Sequence, residues 1–300
     1  MLKKIVLLAL LLCFTLTACQ KEEGPVSDIP APPLVPEAQL PSAEDLVANG
    51  SLGEVDSLDA DVSLHFEAKM SAEALSSGKP VSGNGGLMLN MGVDMDINLK
   101  SQGNVQYING TMGADVLGFS YEEPVEQYLV TNADGSVTTY EKDATTSSWS
   151  YKTEAASSIA DIENFASLDT SFIHDLALSP VYEGDPKYTV TGTISLADFP
   201  SQTGMDGLLD ATGGSAIPED MVFDLAVSYD METSRMTGMI LDLDTSSLAT
   251  EDVAVKSFLM SIDINSVNSV TVSVPQEVLD TALEKMDWSK TDWDASGWNN

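Results

Sequence analysis

Across residues 61–70 the chain alternates strictly. Val62, Leu64, Phe66, Ala68 and Met70 are apolar, and Asp61, Ser63, His65, Glu67 and Lys69 between them are polar. The alternation runs longer over residues 87–100. Leu87, Leu89, Met91, Val93, Met95, Ile97 and Leu99 fall on one face; Asn90, Asp94, Asp96, Asn98 and Lys100 fall on the other. Successive side chains of a strand point to opposite faces, so a period of two marks strands with one face on a core and the other in water. Shorter strands are expected near residues 104–108, 116–120, 126–131, 136–141 and 148–153, with the sequences INGT and NADGS between strands as turns. Further strands are expected at 187–197, 221–230, 235–244 and 256–264. A last one is expected at 269–274, after a bend at 265–268.

Helical signals are fewer. Ser42 is suited to cap a short helix, with Asp45 three residues on and Leu46, Val47 and Leu52 as its apolar side. Over residues 156–178 the period changes: Ile159, Ile162, Phe165 and Leu168 recur at helical spacing, as do Phe172, Ile173, Leu176 and Ala177. Two short central helices are expected there. Residues 201–211 form a candidate small helix, followed by the loop TGGSAIPED. Pro275 opens a last helix, PQEVLDTALEKM, where a missing N–H costs nothing. Residues 287–300 carry three of the four tryptophans and read either as a disordered tail or as a strap docking its rings on the domain. The order of elements implies an α+β fold: a large, strongly curved antiparallel sheet, a half-open barrel, with short helices packed on its concave face.

The N-terminus adds a location. Lys3 and Lys4 precede an apolar run from Ile5 to Leu16. That run falls short of the roughly 20 residues a membrane span needs, and its order of charge, apolar stretch and small residues is that of an export signal. Leu16-Thr17-Ala18-Cys19 resembles the bacterial lipobox, which implies cleavage before Cys19 and lipid on its thiol. Cys13, the other cysteine, lies in the removed segment, so Cys19 is an anchor and the mature domain has no cysteine for a disulfide, a metal or a nucleophile. More than one acyl chain gives stable attachment. Residues 1–18 thus read as signal peptide, and 19–41, with six prolines in 20–41, as lipidated cysteine and extended tether. Residues 42–286 form the β-rich domain and 287–300 the tail. The expected location is the extracytoplasmic face of the cell membrane, or an outer membrane in a Gram-negative host; Gln20 follows the cysteine where aspartate would signal inner-membrane retention there.

Charge narrows the partners. The chain has a formal charge of −34, with 13 Lys and Arg against 47 Asp and Glu. Nucleic-acid binding and docking on anionic head groups both need clustered cations, so the composition argues against both. The acids otherwise read as a solvated, repulsive surface.

The lipobox, proline-rich tether, short helix and long Met- and Asp-bearing strand are followed by QYLVT, SVTTYEK and SWSYKT and a closing VSVPQEVLDTAL. Together they resemble lipoproteins of Gram-positive anaerobes grouped with the LolA/LolB/LppX-like superfamily. The resemblance implies a half-open barrel with a helical lid, and carriage of lipid or lipopeptide between sheet and lid. It assigns no ligand-binding residue in this chain.

Candidate chemistry is sparse. Ser76-Ser77-Gly78-Lys79 matches S-x-x-K but lacks the partner motifs of the enzymes that use it. The two histidines are His65, on the polar face of its strand, and His174, beside Asp175 in an expected helix; neither comes with a serine elbow or an oxyanion hole. Asp242-Leu243-Asp244 opens like a calcium loop, but Ser247 and Val253 stand where glycine and glutamate are required. Asp94 and Asp96 share a strand face and read as solvated carboxylates ahead of a weak Ca²⁺ site. Asn49-Gly50-Ser51 and Asn109-Gly110-Thr111 read as turns. Met88, Met91, Met95, Met236, Met239 and Met260 lie on or beside apolar strand faces; they read as core in preference to a copper site, and also suit a cavity that adapts to acyl chains. The expected protein is therefore non-enzymatic, without cofactor or metal, and holds a lipid or other apolar ligand in a cavity between sheet and helices. The alternative is a cell-surface structural or protein-interaction module, with a hydrolase third.

Overall fold

A computed structural model describes residues 32–50, 52–71, 88–116, 119–155, 173–195, 222–243 and 253–285. Six strands come first: β1 (Ser57–Ser71), β2 (Met88–Gln102), β3 (Val105–Val116), β4 (Phe119–Thr131), β5 (Ser136–Lys142) and β6 (Trp149–Ala155). The next five are β7 (Ile173–Leu178), β8 (Lys187–Ser195), β9 (Val222–Asp230), β10 (Met236–Leu243) and β11 (Val253–Val267), and β12 (Leu283–Glu284) comes last. They form one curved, unclosed twelve-stranded sheet in the order β12-β6-β5-β4-β3-β2-β1-β11-β10-β9-β8-β7. This is the large curved antiparallel sheet with few short helices that the pattern implies. Two meanders, β1–β6 and β7–β11, meet at the long β1–β11 ladder, from Leu58 opposite Val267 to Met70 opposite Val253. Among the described residues the β12–β6 pair alone is parallel.

The period of two sorts the sheet into an apolar and a polar face. Leu58, Ala60, Val62 and Leu64 of β1 bury with Phe258 and Ile262 of β11, Leu241 of β10, Leu225 and Val227 of β9 and Val190 of β8. Phe223 and Phe258 meet edge to face, ring centroids 5.3 Å apart. Helix α1 (Ala43–Asn49) closes this face, burying Ala43, Leu46 and Val47, and Leu52 just beyond it is buried in the same core. Its N-terminus is capped as expected: the Asp45 N–H donates to Ser42 Oγ at 3.0 Å. On the polar face, Asn98 Nδ2 donates to Asp59 and Asp61, at 2.8 and 2.9 Å, and Asn265 Nδ2 donates to Asp61 at 2.9 Å. These amides hold the Asp61 carboxyl below its ordinary pKa, the Asn265 bond being the larger cause and the Asn98 bond the next.

Four expectations are corrected. INGT is not a turn: Asn109 and Gly110 lie mid-strand in β3, paired to Asn98 and Ile97 on one side and to Glu126 and Val125 on the other. Two long strands therefore replace three short ones, because pairing on both sides overrides local turn propensity. Residues 173–178 are strand β7, not helix. A register shift between His174 and Ala177, with Asp175 at φ 54°, puts Ile173 and Leu176 three apart, and the bulge imitates a helical period. Residues 269–275 alternate but join no ladder. Their N–H groups turn to side chains, Val270 to Ser57 Oγ at 3.2 Å and Val272 to Gln102 Oε1 at 2.9 Å. They form a strap leading to helix α2 (Gln276–Thr281), which stops short of residue 286 and gives way to β12. The expected helices over 156–172 and 201–211 and the tail 287–300 lie outside the described residues.

The tether region is partly attached. Val35 N–H donates to Val181 O and Glu183 N–H to Pro33 O, both at 2.9 Å, so residues 33–35 pair with the β7–β8 connection and a 3₁₀ turn follows at Glu37–Gln39. Among the described residues no helix is long and apolar enough to cross a membrane.

Candidate functional site

The apolar face does not end where its cover ends. From β1 it continues onto β2, where Met91, Val93, Met95 and Ile97 are half-buried, and from there onto β3 and β4. Register carries it across: Val93 is opposite Ala114, which is opposite Tyr121; Met95 is opposite Met112; Phe119 follows at the same edge. Exposure rises along this path, to 43% at Met112, 62% at Tyr121 and 79% at Phe119. Glu123, opposite Met112 on this face, accepts from the Tyr121 hydroxyl, so the exposed apolar side chains stand beside one carboxylate. Met91, Met95, Met236 and Met260 pack against the core, and Met239 is inside it. Met95 and Met112 reach the open end, where an unbranched, polarizable side chain adapts to variable shapes.

The opposite face of the same strands is acidic. A shallow groove of about 250 Å³ is lined by Asp94, Asp96, Thr111, Asp115, Ser120 and Glu122, among others. Asp94 contacts His65 Nδ1 at 2.6 Å, and Ser63 Oγ donates to Asp96 at 2.5 Å. Among the described residues no three His, Cys, Asp or Glu side chains converge as a metal ion would require. Asp94 and Asp96 do share a face, as their spacing implies, and each is tied to a neighbour on β1.

The remaining sequence candidates are scattered. His65 and His174 stand on strands of opposite halves of the sheet, both exposed. Asp242 lies one residue before the end of strand β10, in an ordinary ladder position opposite Leu259. Cys19, Ser76 to Lys79 and residues 244–252 of the Asp242 loop lie outside the described residues, and Val253 opens strand β11. Met112, Tyr121 and Phe119 went unmarked at the sequence level. Their signal is the alternation Phe119, Tyr121, Glu123, Val125, which becomes visible once β4 is known to be a single strand. No family model matches the chain, and no curated protein matches it.

Proposed function

We propose that this protein is a membrane-anchored extracytoplasmic lipoprotein, acylated on Cys19, that holds a lipid or similar apolar ligand on the open end of its sheet's apolar face. The anchor rests on Leu16-Thr17-Ala18-Cys19 behind an export signal. One observation carries the ligand: the core face runs past its own cover and presents Met112, Tyr121 and Phe119 beside Met95 and Val93. A half-covered apolar face can take an acyl chain lengthwise and release it sideways, which suits carriage rather than chemistry. Burying such a chain is worth ~0.8 kcal/mol per methylene, so even partial cover gives useful affinity. The resemblance to the LolA/LolB/LppX-like superfamily points the same way.

The test is native mass spectrometry of protein purified without detergent, alongside titration with a fluorescent fatty acid. Retained lipid is expected, and Met112→Asp should reduce both retention and probe binding. Protein free of lipid and silent to the probe would overturn the ligand reading and leave the surface-module alternative. Metabolic labelling with a palmitate analogue tests the anchor separately: label should be lost in Cys19→Ala.

A further inference from the structure

The polar face carries a feature that the lipid reading does not use. Register sets four tyrosines in one row across four strands: Tyr107 of β3 is opposite Tyr128 of β4, which is opposite Tyr140 of β5, which is opposite Tyr151 of β6. Tyr107 and Tyr128 lie 4.7 Å apart between ring centroids, and Tyr140 and Tyr151 5.9 Å. Trp149 joins the row, 5.7 Å from Tyr128. Helix α2 stands over one end of it with Val278 buried, and between helix and rings lies a cleft of about 480 Å³. That volume falls within the ~300–1,000 Å³ of small-molecule sites. Tyr128 and Trp149 supply its aromatic wall, Glu126 and Lys142 its charged wall, and Glu277 and Thr281 its rim. Lys142 Nζ donates to Glu126 at 2.6 Å and sits 5.8 Å from the Trp149 ring centroid, so its charge is already matched.

This combination selects a ligand class. Rings held by cross-strand neighbours are rigid platforms, and apolar ring faces inclined to one another with hydrogen-bonding groups at their edges fit a molecule with apolar C–H faces and hydroxyls around its rim. That molecule is a pyranose. An acyl chain is disfavoured by the charged wall. An anionic polymer is disfavoured by a chain of −34 net charge. A peptide adding as a strand is not accommodated at the cleft itself, because β4 and β5 are paired on both sides and, among the described residues, β12 covers β6 at Ser150 and Tyr151. We propose that the cleft between α2 and the Tyr128–Trp149 wall is a binding site for uncharged sugar rings of a glycan, on the sheet face opposite the apolar surface.

The experiment uses the full mature chain, titrated with cellohexaose, chitohexaose and mannohexaose and followed by tryptophan fluorescence and calorimetry. Binding of at least one hexasaccharide is expected. Trp149→Ala should weaken it about tenfold or more, and Trp149→Phe, which keeps a ring beside Tyr128, should recover part of the loss. Thr281→Arg, at the exposed end of α2, should block the cleft about as strongly while leaving the thermal midpoint and lipid retention unchanged. Failure of all three sugars to bind at millimolar concentration overturns the proposal. So does binding that survives both Trp149→Ala and Thr281→Arg. Because the lipid assays read the other face, either site can fail without the other.

Discussion

Asn268 shows how much one side chain can settle at the seam between the two meanders. It ends β11 at φ 57°, a left-handed conformation that asparagine tolerates better than most residues. Its Oδ1 accepts the N–H groups of Asp56 at 2.6 Å and Ser57 at 3.2 Å, and its Nδ2 donates to Glu54 O at 2.9 Å. Asn268→Ala loses these bonds and keeps the strained backbone, which should cost about 2 kcal/mol. Asn268→Gly loses the bonds but relieves the backbone, so its urea midpoint should fall between those of Asn268→Ala and the wild type. Gly110 is sensitive for a steric reason. A Cβ there would sit 2.1 Å from Asp96 O and 2.6 Å from Ile97 Cα, and strand backbone cannot step aside as a side-chain tip can. Gly110→Ala should cost ~1–3 kcal/mol by equilibrium unfolding. Gly113→Ala is the control: its nearest atom is 3.4 Å away, so its effect should stay within about 0.5 kcal/mol.

Two hairpins on opposite halves of the sheet are closed by the same element. Asp143-Ala144-Thr145-Thr146-Ser147 joins β5 to β6, and Asp230-Met231-Glu232-Thr233-Ser234 joins β9 to β10. In each the aspartate Oδ1 accepts from the threonine N–H and hydroxyl, and the serine has positive φ and donates its N–H to the aspartate carbonyl at 2.8 Å. NADGS makes the third such turn through Asp134, with Gly135 at φ 82°. Asp143 and Asp230 are held below the ordinary 3.8 chiefly by the threonine N–H, and Asp134 chiefly by the Ser136 hydroxyl. A depressed folded-state pKa contributes stability that is present above the unfolded value and lost as pH falls through the folded one. The thermal midpoint should therefore drop below about pH 4, and the triple Asp→Asn variant should show a flatter acid limb. NADGS was legible because Gly sits where a positive φ is required; the D-x-x-T-S turns hid theirs under serine. Strands β1, β2, β5, β8 and β9 were legible because nothing interrupts their period of two, and β10 because its alternation holds beyond the register shift between Met236 and Gly238. Strand β7 was masked by its bulge, and β3 and β4 by an Asn-Gly pair that pairing on both sides holds extended. The strap at 269–275 has the alternation of a strand without the partners, a distinction no local pattern contains. The tyrosine row was unreadable for a similar reason, since register alone brings Tyr107, Tyr128, Tyr140 and Tyr151 together.

At the scale of the molecule the question is whether the two meanders stand or fall together. The chain pairs β1 with β11, so the centre of the sheet forms only when residues 57–71 meet residues 253–267. Such distant pairing is slow to form and leaves each meander an edge until it does. Two phenols report on the halves separately. Tyr107 on β3 is pushed up to about 12 by burial and then by the charge of Glu126, and Tyr229 on β9 is pushed up to about 12 by burial alone. A raised folded-state pKa contributes stability that is complete below the unfolded value of 10.0 and is lost as pH rises towards 12. The protein should therefore unfold between pH 10 and 12, with tyrosinate absorbance rising as the far-ultraviolet strand signal falls. Tyr107→Phe and Tyr229→Phe each remove one of the raised titrations, while Tyr128, also held above its ordinary value chiefly by burial, still titrates in the first half. With the β1–β11 ladder as a rigid seam, either substitution should shift the whole transition upward in pH, with both signals still moving together. If Tyr107→Phe protected only part of the strand signal and split the transition in two, the meanders would be separate cooperative units. The ladder would then be a dock between them, and the open apolar end at β2–β4 would belong to a half able to loosen and release cargo without unfolding the other.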